Sequence, residues 1–420
     1  MRAPYVATAF IIFACYLQAQ KASETPSHGT INVLLATKEG IVLATDSRAS
    51  NEGRLVNDRS RKLFQLDSST FCSIAGFGSD PGPDRQLRTS AGGIIRAFAE
   101  ELANEKQVSF EQKVFILTRM MGMRLESLEE EYRSATKPRQ PKDDQIIMLF
   151  AGRDSDGTLK AARVEILVDP PNDITGKSDF RMRIPEYKIH EIHDGDFLPL
   201  TSGIDDSAQL RLKYPEAYKD ESELSDYRDA TARKDAGNLK LSQLQRLAHY
   251  LVVEAYTVPV VGGPVQMATL ATNGATQLDA PPDLLPDPKP YSTALIRGLV
   301  LENPPTMPPA HPPGVHTLPH SVFINATCSN SGFILDYSIM IGGTFNACTF
   351  YYDGGDVYRD PSVIVNGGQL ILGPHASPDS YSAQKMREQF PELKIIASYK
   401  ELSDPETVRS LVWPSRNEQN

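Results

Sequence analysis

The chain has 420 residues, of which 40 % are hydrophobic, and this is enough to build two or more domains with cores of their own. Its 43 basic and 53 acidic residues give a net charge of −10, which argues against a nucleic-acid partner because no basic stripe offsets phosphate repulsion. After residue 20, no apolar run approaches the roughly eighteen residues that a membrane span needs.

The first twenty residues have the pattern of a secretory signal peptide. Arg2 precedes a mostly apolar run over 5–17, and the run is followed by a cleavage signal at Ala19. Cleavage there makes 1–19 the signal peptide and leaves 20–29 as a propeptide. The mature protein is then exported to the periplasm or outside the cell. If the whole segment is instead an apolar propeptide, the protein is cytoplasmic.

Two predicted β-hairpins follow. The first pairs β-rich runs over 31–36 and 40–45, and the second pairs runs over 61–66 and 69–74. The ends of these runs carry the residue types that hydrolytic chemistry needs.

A hydroxyl, a carboxylate, a lysine and a glycine occur at these ends: Thr30 directly after Gly29, then Asp46, Lys62 and Gly76. A threonine hydroxyl is a poor nucleophile at its ordinary pKa and needs a base within hydrogen-bond reach. Cleavage before Thr30 would free an α-amine with an ordinary pKa of roughly 7.7–8.0, which suits a general base. Lys62 would favour the alkoxide and keep the amine neutral, and Asp46 would hold Lys62 charged. The N–H of Gly76 would point at the developing oxyanion.

This constellation resembles the proteasome β-subunit family, and the spacing matches from Thr30 to Gly76 without a gap. The resemblance implies an α+β fold of the N-terminal nucleophile hydrolase type, a four-layer αββα sandwich. It also implies self-cleavage before Thr30, with Gly29 as the unhindered preceding residue and Arg48 in a supporting role.

The next segments match the order of elements in this family over about 30–275. Helix-period apolar positions predict helices over 89–104 and 109–132. Strands are expected over 145–150 and 161–168, and a further one ends in Thr201-Ser202-Gly203. In the family, a serine at this place supports the nucleophile, so Ser202 is the candidate here.

The chain departs from the family after a predicted helix over 242–257. The stretch that begins at Gly262-Gly263 resembles the family pattern, but the supporting Asp and Ser of the family fall on Val258 and Val261. Neither side chain makes hydrogen bonds. We therefore expect slow turnover or a changed substrate.

Pocket-lining positions inferred from the family are small or apolar and favour an uncharged side chain before the scissile bond. They are Ala49, Ser60, Ile74 and Gly78.

Cysteine and histidine usage predicts neither a metal nor a cofactor, because no His/Cys cluster has metal-ligand spacing. Cys15 loosely matches a lipoprotein acceptor, as an alternative to the signal peptide. Cys72 is expected to be a buried small hydrophobe. Whether Cys328 and Cys348 form a disulfide is left open by the sequence.

The last third of the chain lies outside the resemblance. A proline-rich segment over 276–320 is typical of a semi-rigid linker, with a docking ligand as the alternative. Within 321–420, Ile324-Asn325, Phe345-Asn346 and Val365-Asn366 form a weak repeat of about twenty residues. Stacked asparagines and short strands suggest rungs of a small β-helix. We expect this module to dock on the hydrolase domain or on a neighbouring subunit.

The leading hypothesis is therefore a self-processing threonine peptidase that acts on peptides and assembles as a homo-oligomer. One alternative is an amidase that acts on small acyl-amides, because fold does not decide between these substrates. A second alternative is a catalytically degenerate, proteasome-like shell subunit, which Val258 and Val261 favour and the trio of Thr30, Asp46 and Lys62 opposes.

Overall fold

The structure is a computed structural model that describes most of the chain from Gly29 onward. The described residues are 29–51, 54–76, 79–80, 89–103, 108–133, 145–169, 181–281, 294–297, 300–301, 321–330, 332–336, 338–352, 354, 357–373, 376 and 381–397. The predicted signal peptide, the predicted propeptide before Gly29, Gly78 and most of the predicted linker lie outside them.

The hydrolase-like part of the chain alternates between strands and helices. In chain order its elements are β1 Ile31–Thr37, β2 Gly40–Thr45, β3 Ala49–Asn51, β4 Arg54–Asn57, β5 Leu63–Asp67, β6 Thr70–Gly76, β7 Ser79–Asp80, β8 Thr89–Ser90, α1 Ala91–Ala103, α2 Phe110–Arg133, β9 Gln145–Arg153, β10 Leu159–Asp169, β11 Arg181–Arg183, β12 Ile189–Glu191, β13 Leu198–Gly203, α3 Asp206–Lys213, α4 Ser225–Ala232, α5 Leu241–Glu254, β14 Gln266–Ala271 and β15 Thr276–Asp279.

Two antiparallel sheets organise this part. The first has five strands in the order β13-β1-β2-β14-β15, and the second contains β11-β10-β9-β6-β5 with β12 also paired to β10. All seven residues of β1 and all six of β2 are buried. A strand buried on both faces needs a near-continuous apolar sequence, and both strands have one. The predicted α+β class with antiparallel sheets is confirmed.

Three hydrophobic clusters hold these elements together. Leu34, Leu43, Phe71 and Leu149 belong to a cluster that draws on both sheets. The opposite face of β1 packs against α5, through residues such as Leu35. A third cluster joins the second sheet to α1 and α2. Each sheet therefore contributes to two clusters.

Helix α2 shows how local sequence sets an element boundary. Ser109 accepts a hydrogen bond from the N–H of Gln112 at 3.2 Å, and the Gln112 side chain accepts one from the N–H of Ser109 at 3.1 Å. This reciprocal capping satisfies N–H groups that a helix start leaves unpaired. Val114, Leu117 and Met121 then face the third cluster at helical spacing.

The C-terminal module has a different architecture, with strands paired in parallel. Its elements are β16 Ala294–Arg297, β17 Val300–Leu301, β18 Ser321–Ser329, β19 Gly332–Ile334, β20 Ser338–Tyr352, β21 Val357–Arg359, β22 Ile364–Leu372, α6 Tyr381–Gln389 and β23 Lys394–Ala397. They form one eight-stranded sheet, and every pairing in it is parallel. Aromatic rings fill its interior, with Phe323, Phe333 and Phe345 in edge-to-face contacts.

The asparagine repeat stacks only in part. Asn366 Nδ2 donates to Asn346 Oδ1 at 2.8 Å, as expected for neighbouring rungs. Asn346 pairs on its other side with Ser329, whereas Asn325 lies beside Gly342 at φ +52°. The expectation that all three asparagines stack is wrong for Asn325.

Both cysteines of the module are buried thiols. The Cys348 Sγ donates towards the Cys328 carbonyl oxygen at 3.6 Å, so the disulfide that the sequence left open is not formed in this structure. Cys72 is buried in β6, where burial raises the pKa of its thiol.

The module packs on the hydrolase-like part of its own chain. Val322, Ile324 and Ile339 share a hydrophobic cluster with α1 and α2. The ring of Tyr358 lies 4.5 Å from that of Phe115, between ring centroids. The expected docking on the hydrolase-like part is therefore observed within one chain.

The Arg119–Tyr358 contact provides a test of this docking. The Arg119 guanidinium carbon lies 4.7 Å from the centre of the Tyr358 ring. We expect a double-mutant cycle of Arg119→Met and Tyr358→Leu, read by urea unfolding, to give a coupling of about 0.5–1 kcal/mol. The matched control pairs Arg119→Met with Tyr214→Leu, and their effects should add. Additive effects in the Arg119–Tyr358 cycle would contradict the docking.

Candidate active site

Thr30 lies at the entrance of β1, and its hydroxyl is held on two sides. The Thr30 Oγ1 donates to the Gly29 carbonyl oxygen at 2.9 Å and accepts from Lys62 Nζ at 2.8 Å. The Thr30 carbonyl accepts from the N–H of Ile204 at 2.7 Å, directly beyond β13. The hydroxyl, the lysine and the bond before the threonine therefore meet at one point.

Lys62 precedes β5 and reaches across to the first sheet. Its Nζ donates to Thr30 Oγ1, to Asp46 Oδ1 at 2.9 Å and to the Gly29 carbonyl at 3.2 Å. An ammonium group has three donors, and each has an acceptor here. Burial lowers the pKa of Lys62, and the neighbouring Asp46 opposes this shift. A buried lysine with a lowered pKa is suited to exchanging protons with a hydroxyl.

Asp46, at the end of β2, is fully buried. Its Oδ1 accepts from Lys62 and from the N–H of Ile31 at 3.1 Å, and its Oδ2 accepts from the N–H groups of Arg48 and Gly262, both at 3.1 Å. Burial raises the pKa of Asp46, while Lys62 and the backbone N–H groups act in the opposite direction. Four donors around one carboxylate fix the position of the lysine that it holds.

Arg48 braces the loop that supplies one of these donors. Its Nε donates to Asp58 Oδ1 at 2.7 Å and its Nη1 to the Pro259 carbonyl at 2.7 Å. A Cβ added to Gly262 would lie 2.8 Å from the Arg48 guanidinium carbon, so the side chain lies directly against this glycine. Arg48 therefore contacts the loop whose Gly262 N–H donates to Asp46, and its supporting role stays a prediction.

A row of buried polar residues crosses the first sheet next to Thr30. Asn32 is paired with Ser202 on one side and with Thr45 on the other, and Thr45 is paired with Gln266. The Asn32 Nδ2 donates to Ser202 Oγ at 2.9 Å. Ser202 is therefore linked to the site through Asn32, two residues along β1 from Thr30.

Gly76 closes β6, and its backbone conformation requires glycine. It has a φ of +92°, and a Cβ there would collide with the Gln145 carbonyl oxygen. Gly203 lies between Thr30 and the end of β6. A Cβ added to Gly203 would collide with the Thr30 carbonyl oxygen and would lie 3.5 Å from the Cβ of Ala75. The end of β6 is therefore close to Thr30. The role of the Gly76 N–H towards an oxyanion stays a prediction.

Gly29 is enclosed by apolar side chains. A Cβ at this position would collide with Val260 Cγ2 and lie 3.0 Å from Ile204 Cδ1. Any larger residue before Thr30 would therefore displace either the Gly29–Thr30 peptide bond or Val260.

Val258 and Val261, which align with the supporting Asp and Ser of the proteasome pattern, lie in the loop that also contains Val260 and Gly262. Val261 is buried in the cluster between the first sheet and α5, and Val258 packs against that cluster. Thr257 is exposed, and its hydroxyl donates to the Glu254 carbonyl at 3.4 Å. The loop therefore reaches Asp46 through a backbone N–H of Gly262.

The predicted pocket positions lie in different environments. Ala49 and Ser60 are half-buried, and Ile74 is buried in the cluster beneath α1 and α2. Gly78 lies outside the described residues. The pocket assignment stays a prediction.

Within the part of the chain that the structure describes, no group of three or more His, Cys, Asp or Glu side chains could hold a metal ion. No helix among these residues is both long and apolar enough to cross a membrane.

A comparison with family models bears on the segment that carries this geometry. Residues 27–82 match the proteasome subunit family. The match contains Thr30, Asp46, Lys62 and Gly76, so the proteasome resemblance is confirmed for this segment. No curated protein matches the chain. The proteasome match supports a hydrolase of the peptidase kind at the level of the family.

Three contributors to the site were missed by the sequence interpretation. They are Gln266, Asn32 and Asp58. A buried glutamine opening an apolar strand, and an asparagine inside one, are the signals that could have revealed the first two. Asp58 had no such signal, because its partner Arg48 comes from a separate turn.

The buried ion pair gives a stability prediction. Asp46→Asn should lower the free energy of unfolding by about 3–5 kcal/mol, because it leaves Lys62 charged and buried without its partner. Urea unfolding measures this in a Thr30→Ala background, which keeps the N-terminus constant.

The control is an exposed ion pair, Asp226 with Arg246, whose side chains are 46 % and 65 % exposed. Asp226→Asn should cost at most about 1 kcal/mol. An equal loss of unfolding free energy in the two variants would show that the charge of Asp46 contributes no more to stability than that of an exposed carboxylate.

Proposed function

We propose that this protein is a self-processing threonine hydrolase that cleaves peptide bonds through the hydroxyl of Thr30. The observation that carries the proposal is the position of Lys62 Nζ, which is 2.8 Å from Thr30 Oγ1, 2.9 Å from Asp46 Oδ1 and 3.2 Å from the Gly29 carbonyl oxygen. One charged group thus contacts the nucleophile, its carboxylate partner and the bond to be cut.

Self-processing would proceed as an acyl shift within the chain. The Thr30 Oγ1 attacks the Gly29 carbonyl carbon, and its proton passes by way of Lys62 to the departing amide nitrogen. The C–N bond breaks and an ester joins Gly29 to the Thr30 oxygen. The break of the C–N bond has already freed the Thr30 amine. Water then hydrolyses the ester, which releases the propeptide carboxylate and restores the Thr30 hydroxyl. Lys62 stabilises negative charge on both oxygens during this sequence.

The mature site would use the freed α-amine as its general base. The amine takes the proton of the Thr30 hydroxyl, and the alkoxide attacks the substrate carbonyl. The positive charge of Lys62 keeps the amine neutral and stabilises the alkoxide. The amine then protonates the leaving group, and water hydrolyses the acyl-enzyme. We assign the oxyanion contact to the N–H of Gly76 and a supporting contact to Ser202.

The proposal extends to the fold and the setting of the protein. We infer a four-layer αββα sandwich of the N-terminal nucleophile hydrolase type, supported by the three clusters that link sheets and helices. We infer a β-helix for the C-terminal module, supported by its parallel pairing. Export rests on the N-terminal sequence pattern, and homo-oligomerisation rests on the proteasome match.

A catalytically degenerate shell subunit is the second candidate. Val258 and Val261 favour it, because they place no hydrogen-bonding side chain in the loop beside the nucleophile. The complete contact set of Lys62 favours an enzyme. An amidase on small acyl-amides would use the same steps, so substrate panels must contain both classes.

Intact-mass measurement tests the self-processing. Wild-type protein should begin at Thr30, and Thr30→Ala should retain the residues before position 30. Lys62→Arg should also retain them, because the planar guanidinium cannot contact three converging oxygens as a compact ammonium does. Identical N-termini in wild type and Thr30→Ala would refute autolysis.

The enclosure of Gly29 gives an independent prediction. Gly29→Ala should slow the release of the propeptide, because the new Cβ collides with Val260 Cγ2. The double variant Gly29→Ala with Val260→Ala should recover part of the rate, measured by intact mass over time. Val260→Ala alone is the control for the loss of core packing. A double variant as slow as Gly29→Ala would show that the collision is not the cause.

A further inference from the structure

Gln266 connects the two members of the buried ion pair through their backbones. It is the first residue of β14, is fully buried, and ends the polar row beside Thr30. A glutamine side chain loses much conformational entropy and polar solvation on burial, so its hydrogen bonds must compensate.

The side-chain amide of Gln266 has four hydrogen bonds. Its Oε1 accepts from the N–H of Lys62 at 3.1 Å and of Leu63 at 3.2 Å. Its Nε2 donates to the Ser60 carbonyl at 2.7 Å and to the Asp46 carbonyl at 3.3 Å. A primary amide offers two lone pairs and two N–H groups, and all of them are used here.

These bonds cross between the sheets. Gln266 belongs to the first sheet and Asp46 directly follows its strand β2, whereas Lys62 directly precedes β5 of the second sheet. The Gln266 side chain thus connects the backbone of Lys62 to the backbone of Asp46 by hydrogen bonds. Its effect reaches Thr30 through the position of the lysine.

We propose that Gln266 is a positioning residue, which sets the distance of Lys62 from Thr30 and Asp46 without contacting the reacting atoms. This inference rests on the proposed function. An error of about 1 Å in the placement of a catalytic group can cost on the order of 10²-fold in rate, so the role is measurable.

Two substitutions separate the contributions of the amide. Gln266→Glu keeps the shape and the two accepted bonds, but as a carboxylate it turns lone pairs towards the Ser60 and Asp46 carbonyls. Gln266→Met keeps the length and removes all four bonds. Gln277→Glu on β15 is the matched control, because Gln277 is exposed on the edge of the same sheet.

The test is the turnover of fluorogenic peptides with uncharged residues before the scissile amide, by the full chain. We expect kcat to fall about 10²-fold in both Gln266 variants with KM unchanged, because Lys62 moves away from Thr30. Gln277→Glu should match wild type. The amplitude of the first-turnover burst gives the concentration of functional sites. Dividing the steady-state rate by this concentration keeps misfolded protein from lowering the measured kcat.

The pH dependence of kcat/KM distinguishes positioning from stability. The charged and titratable side chains around the nucleophile are Lys62 and Asp46, with Arg48, Asp58 and Tyr256 behind them. The positive charge of Lys62 would lower the pKa of a freed Thr30 amine beside it, so a displaced Lys62 should shift the acid limb to higher pH. A residue that only stabilises the fold would leave the acid limb unchanged.

The outcomes are distinct. A wild type that keeps its propeptide and cleaves no peptide refutes the proposed function itself. A processed, active wild type together with a Gln266→Met variant of equal kcat and equal acid limb refutes the positioning role. A lower kcat per site with an upward shift of the acid limb supports it.

Discussion

The carboxylate of Asp46 is completely buried, and the arrangement of the site depends on how its charge is balanced. An ion in a protein interior costs several kcal/mol unless partners replace its water. Asp46 obtains those partners from four separate places in the chain: β1, the turn after β2, the strand entrance of Lys62 and the Gly262 loop. Because each donor belongs to a different part of the chain, the carboxylate connects the two sheets and the Gly262 loop through its hydrogen bonds.

The hydrophobic core and the candidate site require different residue types in the same strands. β1 and β2 are buried on both faces and need apolar residues for packing, yet Asn32 and Thr45 interrupt them beside Thr30. Hydrogen bonds offset part of this interruption: Asn32 Nδ2 donates to Ser202 Oγ and Thr45 Oγ1 donates to the Asp46 carbonyl. Asn32 Oδ1 is buried without a partner among the described residues. The apolar part of the strands supplies stability, and the polar row supplies position.

Much of the fold followed from periodicity. Helices expected over 89–104 and 109–132 are observed as Ala91–Ala103 and Phe110–Arg133, because their apolar positions recur at helical spacing and face one cluster. The helix expected over 242–257 ends at Glu254, where a 3-10 turn over Ala255–Thr257 continues the pattern. Helices α3 and α4 were not predicted, since their short polar sequences carry little periodicity.

The site was predictable where side chains meet side chains. Thr30, Asp46 and Lys62 came together as the resemblance to the proteasome family implied. Gln266 was missed because it acts on backbone groups, which leave no signature at the partner positions. Asn325 was placed wrongly because β18 pairs with β20 in a register that sets Ser329, and not Asn325, opposite Asn346. The spacing of the asparagines alone does not reveal that register.

The location of Thr30 at the mouth of a fully paired strand has a consequence for a mature enzyme. Chain termini ordinarily fray, and a catalytic group placed on one would sample many orientations. Here Ile31, the residue after Thr30, is paired with Gly203 and donates its N–H to Asp46, while Asn32 is paired on both sides. A terminus created at Thr30 would thus have lost its orientational freedom when the sheet formed, so an unusually rigid chain end would carry the chemistry.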